Sequence, residues 1–249
     1  MGSRTPGDPR TLRQDRTAPL TVVDAGTVDY ATAWAWQRDL AARRTAGTIG
    51  DVVLLLEHPR VYTLGRRADV DNLVFDVSER ERRGIELHRV DRGGDVTYHG
   101  PGQLVGYPIL RLDGPRVVDH VRALEEINLE VAAGFGISGE RLAGFSGVWV
   151  GGAKLTAVGV HVSAAAVTTH GWATNVTTDL DDFRGIVPCG IADKPVTSLA
   201  RLGADTDLDE VRVRTRAALG EVLGTQVVTA TPEQLGLHGD LATDQVPSG

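Results

Sequence analysis

Residues 148–176 constrain this chain most. Val148-Trp149-Val150 is a short apolar run, Gly151-Gly152 is a favoured two-residue turn, and Ala153 to Ser163 returns as a second extended run. Thr168 to Val176 is extended again. Consecutive strands joined this tightly pair antiparallel, because a parallel partner needs a long crossover. The chain must therefore contain an antiparallel sheet.

Other segments fill out the pattern. Thr27 to Arg44 carries Tyr30, Ala33, Trp34, Leu40 and Ala41 near helical spacing, and Gly47 is a stop. Asp51 to Leu56 is almost wholly apolar and rich in branched residues, the mark of a central strand covered on both faces. Val61 to Gly65, Ile85 to Val90 and Leu104 to Leu110 read as further strands, with 66–84 polar and irregular between them. Val117 to Phe135 shows an apolar stripe and predicts a helix. A last helix starts near Asp207, with Glu210 as its capping-box partner, and runs to about Leu223. Strand and helix do not alternate regularly, so an α+β domain is expected, with a mixed, mainly antiparallel sheet flanked by helices. The break around 180–205 suggests a small C-terminal lobe. Residues 1–19 read as a disordered tail, 20–230 as the folded domain and 231–249 as a flexible tail.

Composition excludes several classes. Among 249 residues there is one cysteine, so neither an intramolecular disulfide nor a cysteine-based zinc site is available, and a reducing cytoplasmic compartment is the default. No apolar run is long enough to cross a membrane. The net charge of −7 argues against a general nucleic-acid binder.

Three stretches carry candidate chemistry. Cys189 sits in Gly185-Ile186-Val187-Pro188-Cys189-Gly190-Ile191. Pro188 holds Val187 extended, and Gly190 leaves room beside the sulfur. That arrangement suits a nucleophile, while a small buried hydrophobe is the alternative. Strand parity places Lys154 on one face with Thr156, Val158, Val160 and Val162, and His161 on the other. A lysine in a partly apolar cleft exchanges a proton near neutral pH and favours a neighbouring thiolate; a solvated charge is the alternative. Arg92 to Gln103 has four glycines and a proline, which suits either a tight connection or a wall closing on a ligand, with Tyr98 and His99 as polar tips. A P-loop fails at 147–155, where Ala153 precedes the lysine and a strand follows. A metal site from His99, His161 and His170 has no known spacing behind it.

Five segments together resemble the lipoyl(octanoyl) transferase family. They are Leu56-Glu57-His58-Pro59 with Tyr62-Thr63-Leu64-Gly65-Arg66; Arg92 through Leu104; Gly152-Ala153-Lys154-Leu155-Thr156-Ala157-Val158-Gly159-Val160; His170-Gly171-Trp172-Ala173-Thr174-Asn175-Val176; and Val187-Pro188-Cys189-Gly190-Ile191. They fall in the family's order over roughly residues 20–225. Two positions depart from the family: Trp172 stands where Leu or Phe is usual, and Thr174 where Leu is usual.

The resemblance implies the biotin/lipoate protein ligase-like catalytic fold and a two-step reaction. Cys189 attacks the thioester of octanoyl-acyl carrier protein, Lys154 serves as acid and base, and a lysine of an apo lipoyl domain takes the acyl group. The acceptors implied are 2-oxoacid dehydrogenase E2 subunits and the glycine cleavage H protein. The implied substrate-binding residues are Arg92, Gly93, Gly94, Asp95, Val96, Thr97, Tyr98, His99, Ala157, Val158, Gly159, Gly171, Trp172 and Ala173. Neither ATP nor a metal is expected, since thioester to amide runs downhill. An acidic carrier needs a local basic patch, for which Arg60, Arg66, Arg67, Arg80, Arg82, Arg83, Arg89 and Arg92 are candidates. An ATP-dependent ligase of the same fold, a thioesterase and a non-catalytic carrier-binding protein are the competing readings.

Overall fold

A computed structural model describes residues 7–187 and 194–238. In chain order the elements are β1 (Leu20–Thr27), α1 (Tyr30–Ala46), β2 (Val52–Glu57), β3 (Val61–Leu64), α2 (Val77–Arg83), β4 (Glu86–Arg89), β5 (Val96–His99) and β6 (Gln103–Ile109). There follow α3 (Val117–Ala133), β7 (Glu140–Leu142), β8 (Phe145–Val150), β9 (Ala153–Val162), β10 (Thr168–Asn175), α4 (Leu208–Leu223) and β11 (Val227–Ala230). Among the described residues the strands form an eight-stranded sheet, β11-β1-β2-β6-β10-β9-β8-β7, and a three-stranded sheet, β4-β3-β5. In the large sheet β1 runs parallel to β11 and β2, and the remaining pairs are antiparallel. This is the α+β, mainly antiparallel architecture the sequence predicts.

Alternation along β2 explains the layering. Val53 and Leu55 join the core under α3 and α4, whereas Val52, Leu54 and Leu56 join the core under α1. Each such side chain, taken fully out of water, contributes about 1.5–3 kcal/mol. The small sheet has its own core of Tyr62, Leu64, Ile85, Val96, Tyr98 and Ile186. The β8–β9 turn is made by Gly151 and Gly152, both at positive φ (55° and 79°), as a mirror-image hairpin turn requires.

Several expectations are corrected. Residues 7–19 are not a loose tail: Leu12 is 0% exposed and Arg13 2% exposed. Arg13 Nε donates to Asp51 Oδ2 at 2.6 Å while Arg44 Nε donates to Asp51 Oδ1 at 2.7 Å, so a buried carboxylate ties this segment to α1 and β2. At the other end, Leu237 is buried in the α1 core and Trp36 Nε1 donates to the His238 carbonyl at 3.0 Å. Residues 231–238 thus belong to the domain. The 66–84 stretch contains α2, capped by Asp76 accepting from the Glu79 N–H. The glycine-rich 92–103 stretch contains β5. The described residues around 180–205 do not form a separate lobe, because Leu199 is buried in the main core and Ile186 in the small-sheet core.

Candidate functional site

A cavity lies between the large sheet and the small one, with about 830 Å³ of empty space, part of it continuous with solvent. Its floor is laid by β9 and β10, where Ala157 pairs with Ala173 and Gly159 with Gly171. Its roof is the 92–97 stretch and β5. Arg92, Gly93, Gly94, Asp95, Val96, Thr97, His99, Ala157, Val158, Gly159, Gly171, Trp172 and Ala173 all line it, as does Lys154. Tyr98 does not. Its side chain is 1% exposed, its hydroxyl donates to Asp182 Oδ2 at 3.0 Å, and its ring packs edge-on against Tyr62 and Phe183. Trp172 meets the cavity from within the sheet. A Cβ on its β6 partner Gly106 would sit 2.1 Å from the indole, which lies in the α3–α4 core.

Lys154 reaches the cavity by a change of parity. Val148 pairs with Thr156, but Trp149 pairs with Lys154, so β9 carries one extra residue at Leu155. Leu155 is buried in the α3–α4 core, and the Thr156 hydroxyl hydrogen-bonds Thr174 Oγ1 at 2.9 Å. The expectation that Lys154 shares the Thr156–Val158 face is corrected by this bulge. Lys154 Nζ stands 4.7 Å from the Trp149 ring centroid, a cation–π distance.

The backbone of Lys154 is tied to the far side of the site. Its N–H donates to the Pro195 carbonyl at 2.8 Å, and its carbonyl accepts from the Thr197 N–H at 2.9 Å. From Thr197 a chain of buried side chains runs along the cavity wall. Asn175 Nδ2 donates to the Thr197 carbonyl at 2.9 Å, Gln103 Nε2 donates to Asn175 Oδ1 at 2.9 Å, and His99 Nδ1 donates to Gln103 Oε1 at 2.8 Å. The direction of each bond fixes both amides and leaves His99 with a bare Nε2. Burial holds the His99 pKa well below that of a free histidine. Beside it, His58 Nδ1 donates to the Val28 carbonyl at 2.7 Å and Nε2 accepts from the Tyr107 hydroxyl at 2.7 Å. Burial pushes His58 down to about 4 and the Tyr107 phenol well up. These imidazoles are neutral at pH 7.

The roof is pinned by Asp91 and Arg92. Asp91 Oδ1 accepts from His170 Nε2 at 2.8 Å and Oδ2 from His161 Nδ1 at 2.6 Å, which holds its carboxyl far below the usual carboxylate range. His161 and His170 thus converge on one carboxylate, while His99 is engaged elsewhere. Among the described residues no group of three or more His, Cys, Asp or Glu is arranged to hold a metal ion. Arg92 is 7% exposed and donates to Thr63 Oγ1 and the Thr63 carbonyl, so it braces β3 instead of joining a surface patch. Three other members of the expected basic patch are ion-paired: Arg60 and Arg83 bind the buried Asp182, and Arg82 and Arg83 bind Glu79.

Cys189 lies outside the described residues. Its flanks are fixed on both sides. Val187 N–H donates to the Asn72 carbonyl at 2.8 Å, and Asn72 Nδ2 reaches Asp95 Oδ2 at 2.6 Å. On the other side Val196 bridges to Lys154. Phe183 and Val196 both line the cavity. Sequence reasoning did not name Asp91, Asn175, Gln103, Tyr107 and Thr197 as site residues, although Gln103 and Asn175 fall within segments it singled out.

A family model for the lipoyl protein ligase A/B catalytic domain matches residues 29–220. An octanoyltransferase of Chloroflexus aurantiacus is 51% identical over 212 residues, 83% of this chain and 95% of the relative. One of Gloeobacter violaceus is 50% identical over 208 residues, 82% and 90% of the two chains. Among solved structures, protein Ta0514 of T. acidophilum with bound lipoic acid matches with a TM-score of 0.67 at 18% identity, covering 86% of this chain and 89% of that one. That last likeness is one of fold.

Proposed function

This chain belongs to the lipoyl protein ligase A/B catalytic-domain family, and on that footing we propose that it is an acyltransferase moving an octanoyl group from octanoyl-acyl carrier protein, through a Cys189 thioester, to a lysine of lipoyl domains. The acceptors are the apo lipoyl domains of 2-oxoacid dehydrogenase E2 subunits and the glycine cleavage H protein. The observation that carries the reading is the position of Lys154. It stands on the floor of a mostly apolar cavity, with its own backbone hydrogen-bonded to Pro195 and Thr197, which follow Cys189 closely in sequence.

In the first step the Cys189 thiolate attacks the donor's thioester carbon. A sulfur–carbon bond forms, the carrier's sulfur–carbon bond breaks, and the leaving thiolate takes the proton held by Lys154. In the second step the acceptor amine attacks the acyl-enzyme. A carbon–nitrogen bond forms, the Cys189 sulfur leaves, and Lys154 takes the proton the amine loses. Exchange of thioester for thioester is nearly even in energy and thioester to amide is downhill, so no ATP is required. No described helix is long and apolar enough to cross a membrane, and cytoplasmic carrier proteins are the natural donors.

Intact-protein mass spectrometry tests this. Wild type mixed with octanoyl-carrier protein and no ATP gains one octanoyl group, Cys189→Ala gains none, and an apo lipoyl domain discharges the adduct. An unmodified wild type that instead consumes free octanoate and ATP is a ligase, and one that releases free octanoate to water is a thioesterase.

A further inference from the structure

Two side chains meet on the cavity side of the β8–β9 hairpin. Trp149 and Lys154 are register partners, so they leave the sheet on one face, with Cβ atoms about 4.5–5.5 Å apart. Their neighbours settle which face. Val148 and Leu155 both lie in the α3–α4 core, and successive strand residues point to opposite sides. Trp149 and Lys154 therefore point away from that core, and Lys154 lines the cavity.

The Lys154 backbone is fixed by Pro195 and Thr197, but its long stem is flexible and opens many positions to the amine. Trp149 supplies a fixed target. Its side chain is 2% exposed and stands edge-on to Phe145, with ring centroids 6.0 Å apart and planes at 65°. Its indole N–H is buried with no hydrogen-bond partner among the described residues, so the residue acts through its ring and not through its donor. Lys154 Nζ stands 4.7 Å from the Trp149 ring centroid, where the ring quadrupole attracts a cation but not a neutral amine. Indole is the best aromatic for this contact, and the attraction grows as water is excluded. Resting on the transferase reading above, we propose that Trp149 is a positioning residue for Lys154: its ring face holds the ammonium in place and keeps it charged, so that a proton is ready when the donor's thiolate leaves. A weaker ring face lets the amine wander and lets it lose its proton at lower pH.

The test replaces Trp149 of the full chain by mono-, di- and trifluorotryptophan at that codon alone, so that Trp34, Trp36 and Trp172 stay as they are. Fluorine drains the negative potential of the ring face and nearly keeps its shape, which spares the fold. It also leaves the charged and titratable groups around the amine untouched. These are Tyr30, Arg92, Asp95, His99, Tyr107 and His170 in the cavity lining, Lys194 with its Nζ 5.5 Å from the Phe145 centroid, and Cys189 in the reading above. Acylation of Cys189 by octanoyl-carrier protein is followed by rapid quench across pH. It slows stepwise with fluorination, by about tenfold at the trifluoro ring, and the basic limb of the pH–rate profile moves down stepwise by about one unit. Trp149→Phe falls between wild type and the trifluoro ring. Rates and limb unmoved by fluorination overturn the proposal. Equal slowing at every pH with the limb in place overturns it too, and leaves Trp149 a packing residue. In both cases a wild type that is acylated and then discharged by an apo lipoyl domain keeps the transferase reading standing. A wild type that gains no octanoyl group sinks both.

Discussion

Thr197 donates its backbone N–H to the carbonyl of Lys154 at 2.9 Å, beside the 2.8 Å bond from the Lys154 N–H to Pro195. The lysine is therefore registered against the chain returning from residue 193, whatever its ammonium does. If Lys154 works by proton transfer, Lys154→Ala lowers octanoyl transfer by at least ~10²-fold with little change in melting temperature. Lys154→Arg does not rescue it, because a guanidinium does not release its proton near neutral pH. Rapid-quench measurement of acyl-enzyme formation, beside thermal melts, decides the matter. A Lys154→Ala variant with wild-type acylation rates removes the lysine from the mechanism.

Asn175 joins Gln103 to Thr197, and it is buried. Asn175→Ala removes the side-chain donor to the Thr197 carbonyl and one of the two acceptors of the Gln103 amide, which keeps only the Tyr98 carbonyl, at a cost of ~1–3 kcal/mol. It also loosens the strand opposite Lys154. Both stability and kcat fall, and urea unfolding together with single-turnover assays reads the two separately.

His58 and His120 are buried, and burial pushes both down to about 4. Neither ring nitrogen of His120 has a hydrogen-bond partner. In an unfolded chain a histidine titrates near ~6.5. Between those values the unfolded state binds protons that the folded state refuses, so stability rises with pH through this window and is lost on acidification. Each group contributes up to ~1.4 kcal/mol per pH unit. Urea midpoints fall between pH 6.5 and 4.5, and His120→Leu flattens that slope by about one group's share. A slope unchanged by His120→Leu refutes the assignment.

Asp51 neutralises two buried arginines, and its Oδ1 also accepts the Arg111 N–H at 2.9 Å. Asp51→Ala leaves both guanidinium groups buried beside an alanine, and costs ~3–5 kcal/mol. Calorimetry registers this as a fall in melting temperature of roughly 10 °C.

Ala157 faces the cavity opposite Ala173. Ala157→Leu fills the acyl path. KM for the octanoyl donor rises by about tenfold or more, while the domain still folds because residue 157 is only half-buried. Unchanged donor KM places the acyl chain elsewhere.

Local pattern made β2, β6, β8, β9 and β10 of the large sheet legible, while β1, β7 and β11 carried no such signal. The Gly-Gly hairpin, the solid apolar run of β2 and the stripe of α3 each announce themselves over a few residues. α2 was masked by composition: Val-Ser-Glu-Arg-Glu-Arg-Arg offers no apolar stripe, and only the Asp76–Glu79 cap marks it. β5 was masked by the glycines around it. The Arg13–Asp51–Arg44 tie joins residues far apart in sequence, and no periodicity records such a pairing. In the site, the cavity walls follow the glycine-rich and strand segments that the sequence marks out. The Asp91 clamp and the His99-to-Thr197 chain do not, because they depend on which strands become neighbours.

The extra residue at Leu155 makes the orientation of Lys154 a matter of counting. Deleting one residue from β9 would leave composition and charge almost untouched, yet would rotate the amine from the cavity into the hydrocarbon between sheet and helices. Residue identity at position 154 is thus half of the specification. A sequence that keeps the lysine but loses the surplus residue upstream of Thr156 would carry the right side chain on the wrong side of the sheet.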